Sequence, residues 1–294
     1  MASLARQSLC AVLAIFGWLR FLAGMFWLRR CIRKNRKLGP DRVFDACWDM
    51  VSRHGYFFRG AAMLRNRFSF RWQDIVFLKL MEEMKRSGLN YRPKLTLDNA
   101  GLLLQPEQRQ PLIVTTVHSP VDAILNRVFE EARIGWTLLA AGEGATYKAR
   151  LLGLQAALDM VTRSSDTLLL LRRKLREGRL VCANIDDAQR RSGSLYCDVF
   201  ISPAMFQLAI SVKARVVYAF VKADDDGSIE VSFGNPAVDS AGGTAQDYAH
   251  DFIAWLRDAR SDRRKWQVRE WVPTGKDRLR KFVLTESICT GRFS

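Results

Sequence analysis

Pro111-Leu-Ile-Val-Thr-Thr-Val-His118-Ser-Pro-Val-Asp122 is the stretch on which the fold of this chain turns. Residues 112–117 form a short β-branched apolar run, the mark of a buried strand, and Ser119-Pro120 behind them marks a helix start. His118 is therefore expected at a strand-to-helix turn. Ligands of open α/β sheets bind outside the carboxyl ends of the strands, so an imidazole at that point is placed for chemistry rather than for core filling. Ser119-Pro-Val-Asp122 is equally a capping-box pattern, with a hydroxyl at the N-cap, proline at the first helical position and a carboxylate at the third, so Asp122 also reads as a plain cap. The two other histidines, His54 and His250, fall inside helical patterns.

Further strands are expected at 136–140, 180–185, 215–221 and 229–233, with helical stretches at about 121–132, 144–161, 165–177, 203–212 and 245–259. This alternation, with connections too long for hairpins, predicts an α/β fold: a mostly parallel central sheet covered by helices on both faces. The last two strands flank Asp224-Asp-Asp-Gly227, a turn signal that predicts an antiparallel hairpin. Helical periodicity also runs over 41–63 and 72–84 ahead of the sheet, and Gly88 and Pro93 end the second run.

The 294 residues are enough to bury a large single core. Six cysteines, Cys10, Cys31, Cys47, Cys182, Cys197 and Cys289, are scattered without paired spacing, so neither a disulfide framework nor a metal site is expected, and a reducing cytosolic face fits best. The formal charge of +16 is concentrated: residues 29–42 carry seven basic side chains and one acid, and residues 257–281 carry ten and four. No helix-turn-helix, zinc finger or aromatic RNA-binding signature accompanies that charge, so nucleic acid is not the expected partner. An anionic membrane surface fits better, because the first basic patch directly follows an apolar segment.

That segment, residues 8–28, is twenty-one residues long with Arg20 as its only charge. It is long enough to cross a bilayer; Arg20 allows a second geometry, in which the segment lies in the interface, and the plain structural reading is a buried core helix. The basic cluster lies after the apolar stretch, unlike a signal peptide. By the positive-inside rule that cluster stays cytoplasmic, leaving residues 41–294 in the cytosol as one α/β domain behind a membrane anchor and basic flank at 1–40.

Arg29-Arg30, the helix Ala46-Cys-Trp-Asp-Met-Val-Ser-Arg-His-Gly55, His118, and above all Leu175-Arg-Glu-Gly178 running into Arg179-Leu-Val-Cys-Ala-Asn-Ile-Asp186 form a series of blocks. Together they resemble the lysophospholipid acyltransferase superfamily, specifically its bacterial lipid A biosynthesis (secondary) acyltransferase branch. Gly193, Phe200, Ala204, Leu208-Ala209 and Ala214-Arg-Val-Val217 follow in the family's order. The resemblance implies a catalytic histidine at His118, with Asp122 as its acid. It also implies an acceptor-phosphate contact at Arg163 and substrate-site carboxylates at Asp186 and Asp187. The family acid normally follows the histidine after four intervening residues, whereas Asp122 follows after three and Ala123 holds the usual position. One residue is about 100° of helical rotation, so the turn must be rebuilt locally for Asp122 to reach the ring. The family's Phe-Phe-Gly is Val199-Phe200-Ile201 here, and Lys265-Trp266-Gln-Val-Arg269-Glu-Trp271 is loosely similar to its tryptophan-rich ending. As plain structural residues, Arg163 would be a solvated cation near a helix start and Asp186 and Asp187 turn-forming carboxylates.

The chemistry so implied is acyl transfer from a thioester to a hydroxyl, needing neither metal nor cofactor. A hydroxyl is a weak nucleophile near neutral pH, so a neutral imidazole must take its proton as it attacks. Backbone amides at the helix start after His118 are candidate oxyanion donors, worth roughly 3 kcal/mol each. The branch implies an acyl-acyl carrier protein or acyl-CoA donor, a lipid or glycolipid acceptor such as a precursor of lipopolysaccharide, and the cytoplasmic face of a bacterial inner membrane. The alternative is a catalytically weakened relative that binds lipid or carrier protein, on account of the shifted acid and the missing glycine.

Overall fold

Leu112–Thr116 is a strand, and its residues alternate between two separate apolar cores: Ile113 points to one and Val114 to the other. A computed structural model describes residues 2–59, 71–104, 110–140, 144–190, 196–238, 242–260, 267–273 and 280–287. In chain order its helices are α1 (Ala2–Asn35), α2 (Pro40–Arg53), α3 (Gly55–Phe58), α4 (Trp72–Arg86), α5 (Gly101–Leu104), α6 (Ile124–Glu131), α7 (Gly144–Leu151), α8 (Thr167–Arg176), α9 (Ala204–Val212) and α10 (Ala245–Arg260). The strands are β1 (Leu95–Asp98), β2 (Leu112–Thr116), β3 (Trp136–Ala140), β4 (Met160–Thr162), β5 (Leu180–Asn184) and β6 (Asp186–Arg190). They continue with β7 (Tyr196–Ile201), β8 (Arg215–Ala223), β9 (Ile229–Gly234), β10 (Gln267–Pro273) and β11 (Arg280–Ser287).

Seven strands form one sheet in the order β1-β9-β8-β2-β5-β3-β4. The five from β8 to β4 run parallel, and β9 with β1 runs the opposite way. The period-2 alternation of strand side chains sends Val114, Cys182 and Val217 to the face covered by α1, α2, α4 and α6. Ile113, Val181 and Tyr218 go to the face covered by α8, α9 and α10. Both faces are dry, which is why these strands read as nearly unbroken apolar runs. The expected hairpin is present: β8 and β9 pair antiparallel across Asp224–Gly227, with the Gly227 amide donating to Asp224 O at 3.0 Å.

Several features differ from the sequence reading, among them β1, an edge strand that was not expected. The helix expected over 144–161 stops at Leu151, Gly153 takes a φ of +102°, and the chain returns as the short edge strand β4. His54 ends α2 instead of lying within a helix. A second, four-stranded antiparallel sheet, β10-β11-β7-β6, gathers segments for which no strand was expected.

The segment 8–28 lies within α1, whose side chains are described at Val12 and from Ile15 onward. Gly24, Met25, Leu28 and Ile32 pack on the body, with Gly24 tight against the Phe58 ring. The opposite face exposes Val12, Ile15, Phe16, Leu19, Leu22 and Phe26. Among the described residues no helix is long and apolar enough to cross a membrane.

Candidate functional site at the carboxyl edge of the sheet

The parallel register of β2 with β5 builds the site. Thr116 pairs with Asn184, and the Ile185 amide extends the ladder by donating to Thr116 O at 2.9 Å. Two residues beyond Thr116 is His118, and two beyond Asn184 is Asp186, so adjacent strand ends deliver an imidazole and a carboxylate side by side. Asp186 Oδ1 accepts the His118 backbone amide at 2.7 Å and lies 2.8 Å from Nδ1 of the same ring. A carboxylate offers only lone pairs, so this contact assigns the proton to Nδ1 and the basic lone pair to Nε2. The His118 side chain is 28% exposed and that of Asp186 only 6%. The ring thus meets solvent on one side while its orienting acid is held in the protein.

Burial opposes the charged imidazolium. The hydrogen bond and charge of Asp186, with the charge of Asp122, more than offset that penalty, while Arg163 acts in the opposite sense. The net result is a His118 pKa above its ordinary value.

Of the four other expected site residues, Asp186 reaches His118 by hydrogen bond, and Asp122 and Arg163 reach it by charge. Asp122 is half-buried in the turn before α6 and accepts from Asn184 Nδ2 at 2.8 Å. Arg163 is exposed directly after β4, at the same carboxyl edge, where its charge is felt at His118. Asp187 follows Asp186 in β6, opposite Phe200 of β7; its side chain lies outside the described residues. Gly193 and Lys265-Trp266 lie outside them altogether. The hydrogen-bonded carboxylate of the ring is therefore Asp186, which the resemblance assigned to substrate. Asn184 was not foreseen at all; the signal for it is the β2–β5 register, which sets it beside the turn carrying Asp122.

The expected cap is only partly made. Ser119 Oγ accepts the Val121 amide at 3.2 Å, but α6 begins at Ile124, after a turn, and Asp122 faces Asn184. The amides of Val121, Asp122 and Ile124 all donate within this turn. These three are thus committed within the turn and do not serve as oxyanion donors. Asp74, buried in the first turn of α4, braces the turn from below: it accepts the Ala223 amide at 2.8 Å and lies 3.4 Å from Ser119 Oγ. Among the described residues no three His, Cys, Asp or Glu side chains gather where they would hold a metal ion.

The same contacts orient α1. The first turn of α4 sits at the site edge, through Asp74, while Glu83 near its far end binds Arg29 of α1 at 2.9 Å. Toward its N-terminus α1 then passes Phe58, with Arg20 stacked 4.5 Å over Tyr56, beside the start of α4 at Trp72. The N-terminal part of α1 therefore lies toward the end of α4 that carries Asp74.

No protein-family model and no curated protein matches this chain, so the reading of the site rests on its own residues and geometry.

Proposed function

We propose that this protein is a membrane-attached O-acyltransferase that moves a fatty acyl chain from an acyl thioester to a hydroxyl of a lipid or glycolipid. The observation that carries the reading is the His118–Asp186 contact at the open carboxyl edge of a parallel sheet. His118 Nε2 takes the proton of the acceptor hydroxyl as its oxygen attacks the thioester carbonyl. Asp186 keeps Nδ1–H, fixes the tautomer and stabilises the imidazolium that forms. Collapse of the tetrahedral intermediate breaks the C–S bond, and the leaving thiolate takes the proton back from Nε2. Arg163, whose charge reaches His118, is the cation for an acceptor phosphate in this reading, and Asp122, held by Asn184, adds negative charge near the ring.

The donor in this reading is acyl-acyl carrier protein or acyl-CoA, and the acceptor is a lipid A precursor or a similar glycolipid. Attachment comes from α1. A helix apolar on all sides belongs in an apolar environment, and only one side of α1 is covered by the body. Its exposed stripe enters lipid while Arg29, Arg30 and Arg33 meet anionic headgroups on the cytoplasmic face of the inner membrane. The alternative, a catalytically weakened relative that binds lipid or carrier protein, rests on the shifted acid and the missing glycine; Asp186 at Nδ1 supplies an orienting carboxylate and so answers the first of these grounds.

The test is transfer of labelled acyl chains in membranes containing the wild-type protein or His118→Ala. Loss of transfer in the variant at equal protein level supports the reading, and equal transfer in the two preparations ends it.

A further inference from the structure

The N-terminal turn of α8 exposes three leucines in a row, Leu168, Leu169 and Leu170, the middle one 68% accessible. They are not core residues out of place, because Leu171 and Leu175 of the same helix are fully packed beneath them. Successive helical residues are 100° apart, so the three cover more than half the circumference of the helix end. An exposed apolar tip marks either a protein or a membrane contact, and its location and charge decide between them.

Both point to the membrane. The chain leaves β4 at Thr162, passes Arg163 and enters α8 at Thr167, so the leucine turn stands at the sheet edge that carries His118. Behind the leucines come Arg172, Arg173, Lys174 and Arg176. Arg173 and Lys174 are tied to Glu177 and Asp159, whereas Arg172 and Arg176 stand on the exposed surface. From Arg163 to Arg179 the segment carries six basic and two acidic side chains. Leucines ahead of a basic collar match the layering of an anionic bilayer, with acyl chains below phosphate headgroups.

We propose that the leucine turn of α8 is a second membrane-contact element, entering the interface of an anionic bilayer and seating the mouth of the His118 site on it. The proposal rests on the membrane attachment read above and specifies its geometry: α1 tethers the chain, and α8 docks the site.

The test is co-sedimentation of the full chain with vesicles of phosphatidylcholine alone or mixed with phosphatidylglycerol, comparing wild type with the combined variant Leu168→Ser, Leu169→Ser, Leu170→Ser. The variant should keep the wild-type melting temperature and bind the anionic vesicles at least tenfold more weakly. Arg172→Gln with Arg176→Gln should weaken binding severalfold to the anionic vesicles only. Unchanged vesicle binding by the leucine variant overturns the proposal, and so does an unchanged vesicle affinity joined to lost affinity for acyl carrier protein, which would give the surface to an acidic protein. Because vesicle binding is read without turnover, a His118→Ala result that sinks the transferase reading leaves this outcome independent.

Discussion

Asp186 and His118 are joined twice through one oxygen: Oδ1 accepts both the backbone amide and the ring Nδ1 of the same residue. The first bond fixes where the turn leaves β2, and the second fixes how the ring is rotated. The ring is thereby preorganised before any substrate arrives, which is what a general base requires.

Asp186→Asn tests that double contact. An amide at this position can donate to Nδ1 and so stabilises the wrong tautomer, moving the lone pair away from Nε2. Acyl transfer should fall by about 10³-fold or more while the fold is kept, an effect of the size seen when the corresponding acid of a serine-protease triad is neutralised. Asp122→Asn should cost about tenfold, because Asp122 acts on the ring by charge at longer range. Steady-state rates for the two variants give the comparison, and a larger loss at Asp122 than at Asp186 would reverse the assignment.

The pH dependence follows from the raised pKa of His118. In the proposed reaction the base works only when neutral, so kcat/KM should fall as the medium is acidified through a pKa above the ordinary 6.5. In Asp186→Asn burial dominates, and the acid limb should move to lower pH. Stability carries the opposite sign. A group whose folded pKa is raised contributes fully below its unfolded value, and that contribution is lost as pH rises through the folded pKa. Urea midpoints of wild type and His118→Gln should therefore differ most near pH 5 and converge toward pH 9.

Much of the fold was legible because β2, β3, β5 and β8 are buried on both faces and write apolar runs into the sequence. Edge strands leave weaker traces. β1 is mostly exposed, β4 has three residues, and Asp186-Asp-Ala-Gln-Arg190 has poor strand propensity. The second sheet pairs β7 with β11 across more than 80 residues of sequence, which no local pattern encodes. His118 was legible for its position after a buried strand. Its bond to Asp186 was not, because the two are 68 residues apart and meet only through strand order and register. Local spacing favoured Asp122 for the same reason.

Gly227 closes the β8–β9 hairpin with a φ of +83°, and a Cβ there would stand 2.7 Å from Trp48 Cδ1 and 2.8 Å from Phe44 Cε1. Neither neighbour has room to retreat: Phe44 stacks on Tyr91 at 4.0 Å, and Trp48 Nε1 donates to Asp225 O at 2.9 Å. Gly227→Ala should destabilise by about 2–4 kcal/mol, combining left-handed backbone strain with overpacking. Gly178 has a similar φ of +75° but open space around it, so Gly178→Ala should cost only about 1 kcal/mol. Chemical denaturation of the pair separates packing from backbone strain, and equal losses would refute the packing part.

The hold of α1 on the body offers the last test, and Glu83 is its polar anchor. Its carboxylate receives Arg29 Nε at 3.1 Å and Nη2 at 2.9 Å, and Arg86 Nη1 at 3.0 Å. The hydrogen bond from Arg29 is the main reason its pKa lies below the usual carboxylate value; Arg29 and Arg86 charges assist, and burial opposes. Arg29 is 53% exposed, so solvent screens the pair and its contribution is at most about 1 kcal/mol. The sign is that of a depressed acid: the contribution is present above the unfolded carboxylate pKa and is lost as pH falls through the folded one. The rest of the hold is apolar, with Leu28 and Ile32 fully buried. Glu83→Gln should therefore loosen α1 without releasing it, raising amide exchange over residues 25–35 severalfold at neutral pH and abolishing the acid-dependent rise expected of the wild type. Leu28→Ala, which removes buried contacts and opens a cavity, should cost about 2–5 kcal/mol and free the helix far more. An exchange rate over α1 that ignores Glu83→Gln but responds to Leu28→Ala would leave packing alone as the tether.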